Sequence, residues 1–176
     1  HGEVITPKLI EKHFIFRAGW MMGGGPQKDK KFINKIFKQI ESGKKELFVI
    51  DDKLGTPTYT VDFAGQMFRV INTDCYGLYN MVCTGDASRY DVAEEFLKCL
   101  HLEDEIKLTL VNSDYFKKEY FAPRPYSEKL VDLKLMQKGL LDMRNWQECL
   151  REYSKIFLKE LKSMRGNLIW QAKTTN

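Results

Sequence analysis

Between residues 14 and 50 the chain reads as strand, helix, strand, and no other feature limits its fold as tightly. "HFIFRA" is a compact apolar and aromatic segment bounded by loop residues, the pattern of a buried strand. The loop "GWMMGGGP" ends it. After Pro26, "DKKFINKIFKQIESG" sets Phe32, Ile33, Ile36, Phe37 and Ile40 at helical spacing, with Asp29 as N-cap and Gly43 as stop. "KELFVIDD" supplies a second strand over Leu47 to Ile50, closed by Asp51 and Asp52, which read as a turn cap rather than as a metal or acid–base pair. An amphipathic helix between two apolar extended segments buries its own stripe and both strands best in layers.

The alternation continues to the end of the chain. "GTPTYT" is a turn-rich connector, and from Val61 to Val70 the apolar residues return to helical spacing, with Thr60 as cap. A third strand follows at "GLYNMVC", then a turn at "TGDAS". In "SRYDVAEEFLKCLHL" Ser88 and Asp91 form a capping box, and Val92, Phe96, Leu97 and Leu100 share a face. "IKLTLVN" alternates as a fourth strand, with Ile106, Leu108 and Leu110 on one side. A proline-interrupted loop, "YFAPRPYS", leads to a closing helix, "NWQECLREYSKIFLKEL". The expectation is an α/β fold with parallel strands and flanking helices, one domain over residues 1–165, and a flexible tail over 166–176.

Composition closes several alternatives. With 176 residues and 43% hydrophobic side chains, the chain can bury one real core. Its 28 basic and 24 acidic residues are interspersed, which describes a solvated surface and not a nucleic-acid patch. "QKDKK" carries no interleaved stacking aromatics, so no nucleic-acid partner is expected. The apolar runs are too short to span a bilayer and no signal-peptide layout is present, so a soluble cytoplasmic protein without membrane contact is expected. Cys75, Cys83, Cys99 and Cys149 form no C-x-x-C pair, and His1, His13 and His101 complete no zinc spacing. They read as reduced, mostly buried thiols, with no metal ligand among them. No catalytic constellation can be assembled from the chain.

Two stretches invite a ligand. "MMGGGP" lacks the lysine and the hydroxyl of a phosphate-gripping loop, which removes that reading. Two others stay open. The glycines permit positive φ and a sharp exit from a strand, while Trp20, Met21 and Met22 stand at a strand end, where open α/β sheets place their ligand crevice. Arg124, held between Pro123 and Pro125, suits a phosphate or carboxylate as well as it suits a surface ion pair.

These segments, in this order, resemble the C-terminal half of the extended short-chain dehydrogenases, specifically the dTDP-4-dehydrorhamnose reductase group. The matching pieces are Arg17 to Trp20, Gly23 to Pro26, Asp52 to Tyr59, and Asp62 with Ala64, followed by "GLYNMVCTGDASRYDVAEEFL" and "RPYSEKLVDLKL". The family's glycine-rich dinucleotide motif and its Tyr-x-x-x-Lys pair do not occur in this sequence, while Gly2 and Glu3 match the Gly-Glu found shortly after the family's lysine. The resemblance implies the last Rossmann strands and the substrate-binding lobe of an NAD(P)-dependent sugar-nucleotide reductase or epimerase. It makes Trp20 a wall of the nucleotide-sugar pocket, sets Gly19 beside the nicotinamide and Met21 and Met22 around the nicotinamide and sugar, and puts Arg124 near the diphosphate. NAD or NADP is then the parent enzyme's cofactor, and this chain alone binds none and turns nothing over. An N-terminal half or a second copy of the chain is the expected partner, because a half-sheet leaves an edge exposed. The alternative is a non-catalytic regulatory or binding subunit of the same fold.

Overall fold

The computed structural model describes the backbone of residues 1–116 and 125–174, with side chains through residue 163. Its elements in chain order are α1 (Gly2–Leu9), β1 (Phe14–Arg17), β2 (Trp20–Met22), α2 (Gly25–Lys28), α3 (Phe32–Glu41), β3 (Glu46–Ile50), β4 (Leu54–Gly55) and β5 (Pro57–Tyr59). There follow α4 (Thr60–Ile71), β6 (Gly77–Asn80), β7 (Ala87–Ser88), α5 (Arg89–Leu100), β8 (Lys107–Val111), β9 (Ser127–Glu128), α6 (Leu133–Gln137) and α7 (Trp146–Thr174). β1 pairs with β6, β2 with β5 and β3 with β8, all in parallel. β4 lies between β7, to which it is antiparallel, and β9, to which it is parallel. The α/β architecture with parallel pairing is the one the alternation predicts.

Helical periodicity decides which faces are buried. Ile33, Ile36, Phe37 and Ile40 of α3 are buried, as are Val92, Phe96, Leu97 and Leu100 of α5 and Leu150, Tyr153, Phe157 and Leu161 of α7. The three helices meet at Phe157. Its ring lies 5.0 Å from Phe37, 5.4 Å from Phe96 and 5.1 Å from Tyr153, the last two edge to face. Such pairs add about 0.5 to 1.5 kcal/mol each beyond the area they bury, so this cluster holds the helical layer together.

Local signals are partly redistributed. The Ser88 capping box forms as expected: Asp91 N–H donates to Ser88 Oγ at 3.0 Å, and Ser88 N–H to Asp91 Oδ2 at 2.8 Å. Gly43 follows the C-cap of α3 at φ 85°, a left-handed conformation that suits glycine. Asp29, however, is not the N-cap of α3; Lys31 is. The Asp29 carboxylate instead accepts Lys31 N–H at 2.7 Å and the Tyr153 hydroxyl at 2.9 Å, a buried tie to α7. Thr60 begins α4 after Tyr59 as N-cap. Part of "GWMMGGGP" is strand, since Trp20–Met22 pair with Pro57–Tyr59, and "GTPTYT" is correspondingly strand as well as turn. β1 is half-buried over Phe14–Phe16 and not fully covered, and Leu110 of β8 is exposed. Neither strand thus has a fully buried face. The last helix runs well past residue 161, its helical backbone continuing through the expected tail to Thr174.

Candidate functional site

Trp20 opens β2 and is held by groups from several other segments. Gly19 lets the chain come close to β5: a Cβ there would run into the Thr56 carbonyl and Thr58 Oγ1, whereas glycine allows Trp20 N–H to donate to Thr56 O at 2.8 Å. One face of the indole rests on the backbone of Gly55, where any Cβ would overlap the ring. Over the ring stands Arg89, its guanidinium carbon 3.6 Å from the ring centroid and 4.9 Å from the centroid of Phe32. The indole N–H donates to Glu128 Oε2 at 2.8 Å. A backbone and a guanidinium thus both stand against the ring.

Beside it, Trp20, Met21, Phe32, Pro57, Arg89 and Val92 line a recess of about 20 Å³, room for roughly one water molecule. Met22 also touches it but is buried in the core. Gly23, Gly24 and Gly25 follow at φ 151°, 87° and 71°, so the glycine run makes the sharp turn that its composition suggests. Of the residues singled out in the sequence, Gly19, Trp20, Met21 and Met22 stand together here, while Arg124 lies outside the described residues. Gly55 joins them from the matched stretch Asp52 to Tyr59. The structure adds Arg89 and Glu128, which arrive from two further segments and which no local motif announces.

A second cluster lies at the start of α4. Arg144 forks onto Asp62, Nε to Oδ2 at 2.9 Å and Nη2 to Oδ1 at 2.6 Å, and its Nη1 reaches Glu152 at 2.8 Å. The guanidinium, outweighing burial, holds the Asp62 carboxyl below its usual range. Cys149 Sγ lies 3.3 Å from Asp62 Oδ2 and 3.6 Å from Cys83 Sγ, and Tyr59 N–H donates to Cys83 Sγ at 3.4 Å. Contact with Cys83, burial and the neighbouring carboxylate push the Cys149 thiol well up. All four cysteines are unpaired thiols, Cys83 and Cys149 buried, Cys75 and Cys99 half-buried. The missing zinc spacing along the sequence therefore does not carry over into space: Asp62, Cys83 and Cys149 converge.

Among the described residues no helix is long and apolar enough to cross a membrane. Residues 1–159, which include both clusters, match the RmlD substrate binding domain family. The chain is 30% identical over 152 residues to the spore coat polysaccharide biosynthesis protein SpsK of Bacillus subtilis, covering 86% of this chain and 50% of that protein. It superposes on a crystal structure of dTDP-4-dehydrorhamnose reductase from Yersinia enterocolitica with a TM-score of 0.78 at 31% identity, covering 88% of this chain and 53% of that one. A dTDP-4-dehydrorhamnose reductase from Bacillus anthracis, solved in complex with NADP, gives 0.73 at 26% identity, with 86% and 51% covered. The chain spans about half the length of the curated relatives it matches. The family's parallel strands flanked by helices, and the order of the segments that carry its sequence pattern, are both present here, and the chain belongs to the RmlD substrate binding domain family.

Proposed function

We propose that this chain is the substrate-binding part of an NAD(P)-dependent sugar-nucleotide reductase of the dTDP-4-dehydrorhamnose reductase type. The observation that carries this reading is the family match across residues 1–159. Trp20, held against Gly55 and Arg89 at the head of a parallel strand, supplies the wall against which a nucleotide sugar is held. Arg89 brings a positive charge to the same rim, suited to a diphosphate. The recess itself is too small for a nucleotide, so in this reading it is one border of a larger cleft.

The nicotinamide cofactor supplies hydride to a sugar carbonyl when bound. The chain's sequence contains neither a glycine-rich dinucleotide motif nor a Tyr-x-x-x-Lys pair, so the groups that grip the cofactor's pyrophosphate and donate the proton are not its own. Its residues bind and orient the substrate.

Saturation-transfer NMR with a dTDP-sugar tests the binding role. Sugar and thymidine protons are expected to gain signal from the chain, and Arg89→Ala is expected to weaken the interaction by roughly tenfold or more, the usual cost of losing a charged hydrogen bond. An affinity unchanged in Trp20→Ala and Arg89→Ala would reject this rim as the site. Separately, the purified chain is expected to oxidise no NADPH in the presence of a 4-keto dTDP-sugar; turnover would show that the cofactor-binding and proton-donating groups lie within it.

A further inference from the structure

We propose that Asp62, Cys83 and Cys149 form a site for a single thiophilic divalent cation of the zinc class, joining α4, the segment after β6 and α7. The donor set is one such ions favour: two sulfurs and a carboxylate oxygen. The spacing fits as well. Two sulfurs bound about 2.3 Å from one tetrahedral zinc lie about 3.8 Å apart, and a sulfur and a carboxylate oxygen about 3.5 Å apart; here the separations are 3.6 and 3.3 Å. All three donor atoms fall within 4.8 Å of one another, so one ion can reach each of them with little movement.

The surroundings are those of a ligand set already oriented. Arg144 holds the Asp62 carboxylate by both oxygens, and Tyr59 N–H points at the Cys83 sulfur, the kind of outer hydrogen bonding that fixes metal ligands. Charge is conserved too. Binding replaces two thiol protons with one divalent cation, so the net charge of the buried cluster does not change and the Asp62–Arg144 pair remains balanced. The Cys83 and Cys149 residues are only 1% and 0% exposed, but the Arg144 side chain beside them is 34% exposed.

This site does not depend on the sugar-nucleotide reading and is tested without activity. Cobalt(II) is added to the full chain after reduction and chelator treatment. The expected result is uptake of one equivalent, with a sulfur-to-cobalt charge-transfer band and the visible bands of a tetrahedral ion, displaced by zinc. Cys83→Ala and Cys149→Ala should each remove the charge-transfer intensity, whereas Cys75→Ala and Cys99→Ala should not. Zinc should raise the unfolding temperature of the unsubstituted chain but not of the Cys83→Ala protein, whose folding is checked by circular dichroism. The proposal is overturned by reduced protein that shows no such band, by a band that survives loss of both Cys83 and Cys149, or by a mass showing that the two thiols have closed into a disulfide under conditions where no metal is taken up.

Discussion

Asp132 is a carboxylate only 5% exposed to water. Its Oδ1 accepts the Val82 N–H at 3.0 Å, but burial outweighs that bond and pushes its pKa from 3.8 up to about 7. A raised acid destabilises the fold when it must ionise, and the sign comes from proton counting. Below pH about 4 the folded and unfolded chains both hold the proton, and burial costs no charge. Between about 4 and 7 the unfolded chain releases it while the folded chain keeps it, so this contribution to stability falls as pH rises. Above about 7 the loss is complete. Asp132→Asn keeps an oxygen for Val82 and stays neutral throughout. Relative to the unsubstituted chain, it should therefore gain stability between pH 4 and 8, reaching on the order of 4 kcal/mol in urea unfolding. Comparing the two proteins removes the opposite trend of groups such as Asp62 and Glu46, whose carboxyls are held low. Parallel stability curves across that range would mean that Asp132 ionises as an ordinary aspartate.

At the scale of single elements, α5 shows a local rule that tertiary structure leaves intact. Ser88 and Asp91 exchange hydrogen bonds around its first turn, so Ser88→Ala should cost about 1 kcal/mol, read as a lowered midpoint in chemical unfolding. A midpoint that does not move would mean the box contributes nothing in solution. α3, α5 and α7 were legible for a similar reason: their apolar residues recur at the helical period and those faces are the buried ones. Where a distant group intervenes, the local rule fails. Asp29 precedes an apolar run, as an N-cap should, but its carboxylate is claimed by Tyr153, 124 residues away. β2 and β5 carry no strand signal in the sequence because three residues are too few to show alternation, and glycine and proline beside them read as turns; pairing with each other makes them strands. The site divides along the same line. Gly19 to Met22 are contiguous and could be picked out, whereas Gly55, Arg89 and Glu128 reach Trp20 only through the fold. Cys83 and Cys149, 66 residues apart, likewise meet only in three dimensions.

At the scale of the whole molecule, the surface is less complete than the core. Among the described residues β1 pairs with β6 in a two-stranded sheet. α1 is tethered beside it by the ion pair of Glu3 with Arg17, yet α1 buries none of its residues. Val4, Ile5 and Leu9 are 61%, 49% and 77% exposed, and Phe68 of α4 is 68% exposed. Apolar side chains gathered on one short helix, together with a short strand ladder, mark a surface suited to contact with another chain. We infer that an N-terminal half covers it in a longer chain and that, in the isolated chain, a second copy takes its place. The Glu3–Arg17 pair is itself exposed, so it is worth little on its own, and α1 gains most of its hold on the sheet when its apolar side chains are covered. Light scattering coupled to size-exclusion chromatography should therefore find a species larger than a monomer whose share rises with concentration. Ile5→Glu with Leu9→Glu should shift the population to monomer without altering the core, since neither side chain contributes to it. A chain that elutes as a monomer at every concentration would show that neither α1 nor the strand ladder drives association. An assembly indifferent to the two glutamates would move the contact away from α1, leaving the apolar side chains of α4 as the next surface to alter.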